Sequence, residues 1–453
     1  NGTEARWNCL QDAVDCPQIE ICWPAAERYE VEIVWKGQKP ARPQAAAIQA
    51  QQTRMQAIFD GAMVKEVLDP QQVLSGVEVK DDFFRASPAG LTGHRTVFAR
   101  LEQGPMVWLE PVMFELRPPL EIIASSVQPP EGVCFRIQNN TPKMIDVPAV
   151  IRAGRQSQKR PLQIASQGIS EEIVLKASDW QLLAGSNRIT VELADGRTVE
   201  GIVVNWKISL QNQPLQWEVI NLKPYYNDHL SRIFQNNYLS PRSPYCSLAI
   251  PKQGIGSWCD FARTFEVDDS GLIAAGRDSE GRFVLPQGIC FAVPQNRNAQ
   301  NVVFVSQWDN YPRKAVIPLS GRARQIYLLM AGTTNSMQSR FDNGQVIAAY
   351  ADGSTERLAL HNPTTWWPID QDYYIDDYAF RRPEPVPPRI HLKTGQVRIL
   401  DVSDFTDSKA VVPGGAATVL DLALREDKEL CGLTVEALAN EVIIGLMGIT
   451  LIR

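Results

Sequence analysis

"RITVELADGRTVEGIVVNW", residues 188–206, sets the reading of the fold. Two runs rich in Val, Ile and Thr, alternating with polar residues, flank the turn sequence Ala194-Asp195-Gly196. Successive side chains of an extended strand point to opposite faces, so a period of two marks a half-buried strand. Asp-Gly tolerates the positive φ angles of a tight turn, and the stretch reads as a β-hairpin. A second "ADG", at 351–353, divides "VIAAYADGSTERLAL" (346–360) in the same way. "YEVEIVW" (29–35), "RTVFARLEQ" (95–103) and "MVWLEPVMFEL" (106–116) are β-rich as well. Residues 44–58 have helical composition, but their apolar stripe is weak. Long amphipathic helices are otherwise scarce, and 31 prolines suit many short strands joined by fixed loops. These features predict an all-β protein.

A chain of 453 residues exceeds a single core. Proline-bearing links at "ELRPPLEII" (115–123) and "LQNQPLQWEV" (210–219) separate the strand series. We expect an immunoglobulin-like β-sandwich over 1–117 and a second over 118–209, where strand signals recur at the rhythm of that fold. Residues 215–453 are expected to form a larger jelly-roll, galactose-binding-like sandwich with long loops. Basic charge in "DVPAVIRAGRQSQKRPL" (146–162) reads as a solvated strand edge that resists edge pairing.

The formal charge of −6, with no basic stripe, argues against nucleic acid as a partner. The longest apolar tract, "VIIGLMGITLI" (442–452), is about half what a membrane span needs and reads as a buried terminal strand. The chain begins at Asn1, not Met, which reads as a cleavage or fragment boundary. Cys9, Cys16 and Cys22 have neither CxxC nor zinc-finger spacing and suit a disulfide in an oxidising compartment better than a metal. The other cysteines read as small buried hydrophobes. "GIGSW" (254–258) is not a dinucleotide fingerprint, and no GxSxG, HExxH or P-loop appears. No cofactor is expected.

"WWPIDQDYYIDDYAF" (366–380) concentrates acids and aromatics. Glycoside hydrolysis needs two carboxyl groups across a sugar-sized gap, which Asp370, Asp372, Asp376 and Asp377 could supply. Acids on one short loop equally cap turns or join a structural calcium site. The aromatics favour sugar contact, because the C–H face of a pyranose stacks on a flat indole while polar groups fix its hydroxyls. Trp366 and Trp367 beside Asp370, Asp372 and Tyr373 offer that mixture, as do Trp308, Asp309, Asn310 and Tyr311 in "SQWDNYPRK" (306–314). Core filling is the competing role for each cluster, and adjacent tryptophans in an extended segment face opposite ways. Asn335 and Arg340 in "AGTTNSMQSRF" (331–341) are further contact candidates. The long loop "YLSPRSPYCSLAIPKQGIGSWC" (238–259) either serves function or wraps a sheet.

"YLSPRSPYCSLAIPKQGIGSWC", "SQWDNYPRKAVIPLSG", "LLMAGTTNSMQSRFDNG", "NPTTWWPIDQDYYIDDYAF" and "LTVEALANEVIIGLMGITL" occur in this order. Together they resemble blocks of an uncharacterised family of large secreted bacterial proteins, grouped with predicted glycoside hydrolases. The resemblance covers about 218–453. It implies the β-rich C-terminal part of a carbohydrate-active protein, whose relatives carry a helical, toroidal catalytic-type region ahead of these blocks. It also implies a Gram-negative polysaccharide degrader, in the periplasm or on the cell surface. It assigns no catalytic residue.

Three readings follow. The chain binds an oligo- or polysaccharide or braces an attached or neighbouring catalytic domain; it is itself a glycoside hydrolase or lyase; or it is an adhesin-like stalk. The first accommodates most of these features.

Overall fold

A computed structural model describes residues 6–11, 17–22, 47–51, 54–88, 92–234, 265–278, 280–294, 296, 298–307, 310–334, 340–374, 385–405, 410–440 and 442–453. The chain is all-β, built of antiparallel sheets, as the period-two pattern predicts. It divides into two compact units. One holds 1–121, 138–145 and 164–169, and the other 122–137, 146–163 and 170–453.

In the first unit, one sheet takes Ala47–Gln51, Arg54–Ile58, Phe83–Pro88 and Leu74–Lys80 in that order, and another takes Met63–Leu68, Gly93–Gln103 and Met106–Leu116. Val97, Ala99 and Leu101 alternate into a core with Phe59 and Phe84, whose rings stack at 6.2 Å. Residues 44–58 are not helical in their described part, which forms two paired strands. Met55, Ala57 and Phe59 turn inward at every second position, so tertiary pairing overrides the helical composition.

A middle sandwich lies mostly in the second unit. One sheet holds Leu120–Ala124, Gly132–Asn139 and Ile173–Lys176; the other runs Gln156–Ile164, Ile145–Ala153, Gly185–Leu193, Thr198–Asn205. The last two strands are the hairpin of 188–206, with Glu192 opposite Thr198 and Gly196 at φ 88° in the turn. Ile189, Val191 and Leu193 point inward. The basic strand Gln156–Ile164 is a sheet edge, with its first residues exposed.

The rest of the second unit is a larger sandwich. Its main sheet runs Trp217–Val219, Ile443–Ile452, Gln325–Gly332, Ala416–Ala423, Arg389–His391, Val397–Arg398, and Val303–Ser306 also pairs with Ile443–Ile452. The second sheet runs Lys314–Pro318, Leu430–Ala437, Asp342–Tyr350, Thr355–His361. The terminal apolar tract is buried along its whole length in the main sheet. The second hairpin turns at Gly353, φ 84°, between Ala349 and Thr355. Ile326, Leu328 and Met330 meet Val346, Ala348, Leu433 and Val435 in one core between the sheets.

Cys134 and Cys290 are buried as expected, but Cys431 is exposed, because it falls on the outer side of its alternating strand. The side chains of Cys9, Cys16, Cys22, Cys246 and Cys259 lie outside the described residues.

Gly332 fixes one close approach in the core. A Cβ there would sit 2.4 Å from the Trp366 indole and 2.3 Å from the Ile443 carbonyl oxygen. Gly332→Ala is therefore expected to destabilise the chain by about 1–3 kcal/mol through overpacking. A urea titration of the full chain checks this, and an unchanged midpoint would mean that the indole is not seated on the strand.

Candidate functional site

The described part of the aromatic stretch is buried. Trp366 is 1% exposed, donates its indole N–H to the Thr333 carbonyl at 3.1 Å, and packs into the core between the two sheets. Trp367 is 2% exposed and belongs to a separate small core with Tyr373, Tyr374 and Val386. Its indole donates to the Asp372 carbonyl at 3.0 Å, and its ring meets Tyr373 edge-on at 5.1 Å. The adjacent indoles thus face opposite ways, each into its own core, and neither offers a flat face to a sugar. Tyr373 is likewise enclosed, stacked on Phe405 at 5.3 Å, with its hydroxyl donating to the Pro387 carbonyl at 2.9 Å. The stacking role expected of Trp366, Trp367 and Tyr373 is corrected to core filling.

Asp372 is ion-paired with Arg398 and accepts the Tyr373 N–H at 3.0 Å. Asp370 is half-buried, and its carbonyl accepts from Val412 N at 3.0 Å. Beneath this loop lies the fully buried Arg389, 5.3 Å from the Tyr373 ring centre and donating to the carbonyls of Pro368 and Ala416. Burial lowers its pKa, partly opposed by Tyr373, Asp372 and Asp370. Tyr311 is half-buried against Phe304 and donates its hydroxyl to Asp228 at 2.6 Å. Arg340 is exposed at φ 65°, and its N–H donates to the Asn362 carbonyl at 2.7 Å. Trp308, Asp309, Asn335, Asp376, Asp377 and the loop 238–259 lie outside the described residues. The described candidates are therefore not gathered around one open site. Among the described residues, no group of three or more His, Cys, Asp or Glu is placed to hold a metal ion.

An open cleft occurs elsewhere in the second unit, where the middle sandwich meets the larger one. It encloses about 270 Å³. Arg152, Ala153, Gly154, Ser186, Asn187, Arg188 and Thr190 come to it from the middle sandwich. Arg324, Gln325, Arg425, Glu426 and Asp427 come from the larger one, and among the described residues no aromatic side chain lines it.

Four side chains fix the walls. Arg188 pairs with Glu200 and, at 3.1 Å, with Glu356; Arg425 pairs with the same two carboxylates at 2.8 and 3.0 Å. The result is a closed ring of alternating charge. Burial opposes ionisation of Glu200, but hydrogen bonds from Arg425 and Arg188 outweigh it and hold the carboxyl below its usual range. Elsewhere in the lining, Arg324 is 3.1 Å from Glu426 and donates to the Gln181 carbonyl at 2.6 Å. Its guanidinium lies against Gly154, where a Cβ would come within 2.6 Å. Burial lowers the Arg324 pKa, and Glu426 only partly offsets this.

Beside the cleft, Asp421 joins the two sandwiches directly. It accepts the Ser186 N–H at 2.6 Å and the Ser186 hydroxyl at 3.1 Å, and it also accepts from Gln325. Gly185, at φ 90°, leaves room for the carboxyl, since a Cβ would lie 2.6 Å from its Oδ2. Burial pushes the Asp421 pKa up to about 7, against the lowering effect of Ser186 and Gln325. The sequence reasoning missed this whole constellation. One local sign was present: an aspartate inside the apolar run "VLDLAL" (419–424), where an unpartnered charge would be costly.

No family model and no curated protein matches this chain. Among solved structures, it is similar to the Bacteroides ovatus mixed-linkage glucan utilization locus SGBP-B in complex with a mixed-linkage heptasaccharide, at 10% identity, TM-score 0.19, covering 93% of this chain and 77% of that one. A second similar structure, crystallised with a xylogluco-oligosaccharide, gives 12% identity, TM-score 0.20, and coverage of 94% and 83%. At these TM-scores neither likeness carries an argument about this chain.

The Asp421 carboxyl has a measurable consequence. Its pKa of about 7 in the fold exceeds the ordinary 3.8, so between these values the folded state holds the extra proton. Its contribution to stability is fully present below pH 3.8 and declines as pH rises toward 7. The slope is at most about 1.4 kcal/mol per pH unit. Asp421→Asn is expected to remove this component, so the difference between wild type and variant should grow in the variant's favour from pH 5 to pH 8. Urea midpoints at a series of pH values test it, and parallel profiles would refute the assignment.

Proposed function

We propose that this chain is a non-catalytic glycan-binding region of an exported carbohydrate-active protein, with the saccharide seated in the cleft between the middle and larger sandwiches. The cleft is the observation that carries the reading. It is open to solvent, its walls are tied by ion pairs, and it presents the planar hydrogen-bonding guanidiniums of Arg152 and Arg324. Its volume of about 270 Å³ sits at the small end of ligand sites and suits one sugar residue of a longer chain. Periplasmic or surface location, and bracing of an attached catalytic domain, follow from the block resemblance over 218–453.

A hydrolase reading is less well supported. Asp372 is consumed by Arg398, and the two carboxylates lining the cleft, Glu426 and Asp427, are chain neighbours. Glu426 is also held by Arg155 and Arg324, whereas glycoside hydrolysis sets two carboxyls on either side of the scissile bond. No helix among the described residues is long and apolar enough to cross a membrane.

Native affinity electrophoresis of the full chain against neutral and acidic polysaccharides tests the proposal, with a reducing-end assay on the same mixtures. Retardation by at least one polysaccharide, without new reducing ends, is the expected outcome. Absence of retardation by all of them would remove the binding function; accumulating reducing ends would remove the non-catalytic one.

A further inference from the structure

We propose that the cleft selects an acidic saccharide, holding the carboxylate of a uronic acid residue between Arg152 and Arg324. This rests on the glycan-binding reading above and adds the class of sugar.

The argument starts from what lines the cleft. A neutral pyranose offers an apolar C–H face, and a protein usually meets it with an aromatic ring. Among the described residues no aromatic side chain lines the cleft. Instead four arginines face the space, against the two carboxylates of Glu426 and Asp427. The guanidinium is a planar fork of N–H donors that matches a carboxylate in two parallel hydrogen bonds.

The four arginines are not equivalent. Arg188 and Arg425 are committed to Glu200 and Glu356, which lie outside the lining. Arg152 is differently placed. Its partner Glu192 sits at 3.1 and 3.2 Å, but both side chains are over two-fifths exposed, and such a pair is worth little. Arg152 can therefore exchange Glu192 for a ligand carboxylate at small cost. Arg324 is the opposite case, a side chain only 13% exposed whose one carboxylate partner, Glu426, is shared with Arg155. Its charge is under-compensated, in keeping with its lowered pKa. An incoming carboxylate supplies what Arg324 lacks. Thr190, half-buried in the lining, is placed to meet a ring hydroxyl, whereas the buried amides of Asn187 and Gln325 are held by Leu183 and Gly185 and by Ser186 and Asp421.

Calorimetric titration of the full chain with trigalacturonate, its methyl ester, a neutral cello-oligosaccharide and acetate tests this, because the ester keeps the sugar skeleton and removes the charge. The expected result is that trigalacturonate binds at least about tenfold more tightly than its ester, with acetate weaker still. Arg152→Gln is exposed enough to leave the fold intact and should cost about tenfold, as one charge-assisted contact is worth roughly that much. Arg324→Gln should cost at least as much, and its folding is checked by thermal unfolding. Arg136→Gln, exposed, outside the lining and paired with Glu172, is the control expected to keep the affinity.

Equal affinity for acid and ester, or binding of the neutral oligosaccharide alone, would overturn the inference while leaving glycan binding in place. Acetate binding as tightly as trigalacturonate would reduce the site to an anion site and overturn the inference. Acid binding unchanged in both Arg152→Gln and folded Arg324→Gln would place the sugar elsewhere. Failure of every saccharide to bind would remove the inference, and with a negative polysaccharide panel it would remove the glycan reading too.

Discussion

Arg188 and Glu200 stand on neighbouring strands of the middle sandwich, and Glu356 and Arg425 approach them from the larger one. An isolated surface ion pair contributes little, because two long side chains must be ordered for one screened contact. In this ring each guanidinium meets both carboxylates, so ordering one side chain serves two contacts. Partial burial, with exposures of 19% for Arg188 and 21% for Glu356, also weakens screening by salt. The cleft depends on this lock. Asn187 and Gln325 belong to different sandwiches, and their relation is fixed only as long as the seam does not slide.

The seam is reinforced by groups that would be costly to bury alone. Tyr327 is completely enclosed, stacks near Trp217 at 6.2 Å and donates its hydroxyl to the Ala184 carbonyl at 2.7 Å. Gln287 reaches the Trp206 carbonyl at 2.8 Å, and Gln213 the Leu182 carbonyl at 2.8 Å. Each of these side chains donates a hydrogen bond across the seam, which makes the interaction directional where apolar packing alone would allow slippage. Asp421 is the extreme member. Its hydrogen bonds from Ser186 and Gln325 specify register, while burial keeps its ionised form unfavourable.

The legible parts of the fold are those written locally. The hairpins at 194–196 and 351–353 needed only period-two alternation and an Asp-Gly pair, and the buried strand Ile443–Ile452 only its uninterrupted apolar character. Residues 47–58 were less legible, because Ala and Gln favour helix locally and only pairing with Phe83–Pro88 makes them strands. The tryptophan pair shows a different limit. Composition marked 366–374 as chemically rich, yet the fate of Trp366 is set by Gly332 and Thr333, more than thirty residues earlier. Its indole is consumed by that backbone. The cleft was hidden most deeply: Arg152, Arg188, Arg324 and Arg425 span over half the chain, and nothing near any one of them announces the other three.

The proposed recognition would divide by distance. At physiological ionic strength, screening acts over about 8 Å, so the net charge of −6 repels a polyanion only close to the surface. Within the cleft, Arg324 is only 13% exposed and is held by Glu426 and the Gln181 carbonyl, which preserves its short-range attraction. A loosely placed anion meets repulsion without the compensating fork, whereas a carboxylate in register with Arg152 and Arg324 receives both. The ion pairs and hydrogen bonds across the seam keep the accepting geometry narrow. Selectivity would then arise from the fixed spacing of Arg152 and Arg324, with the Arg188–Glu200–Arg425–Glu356 ring holding the two walls at that separation.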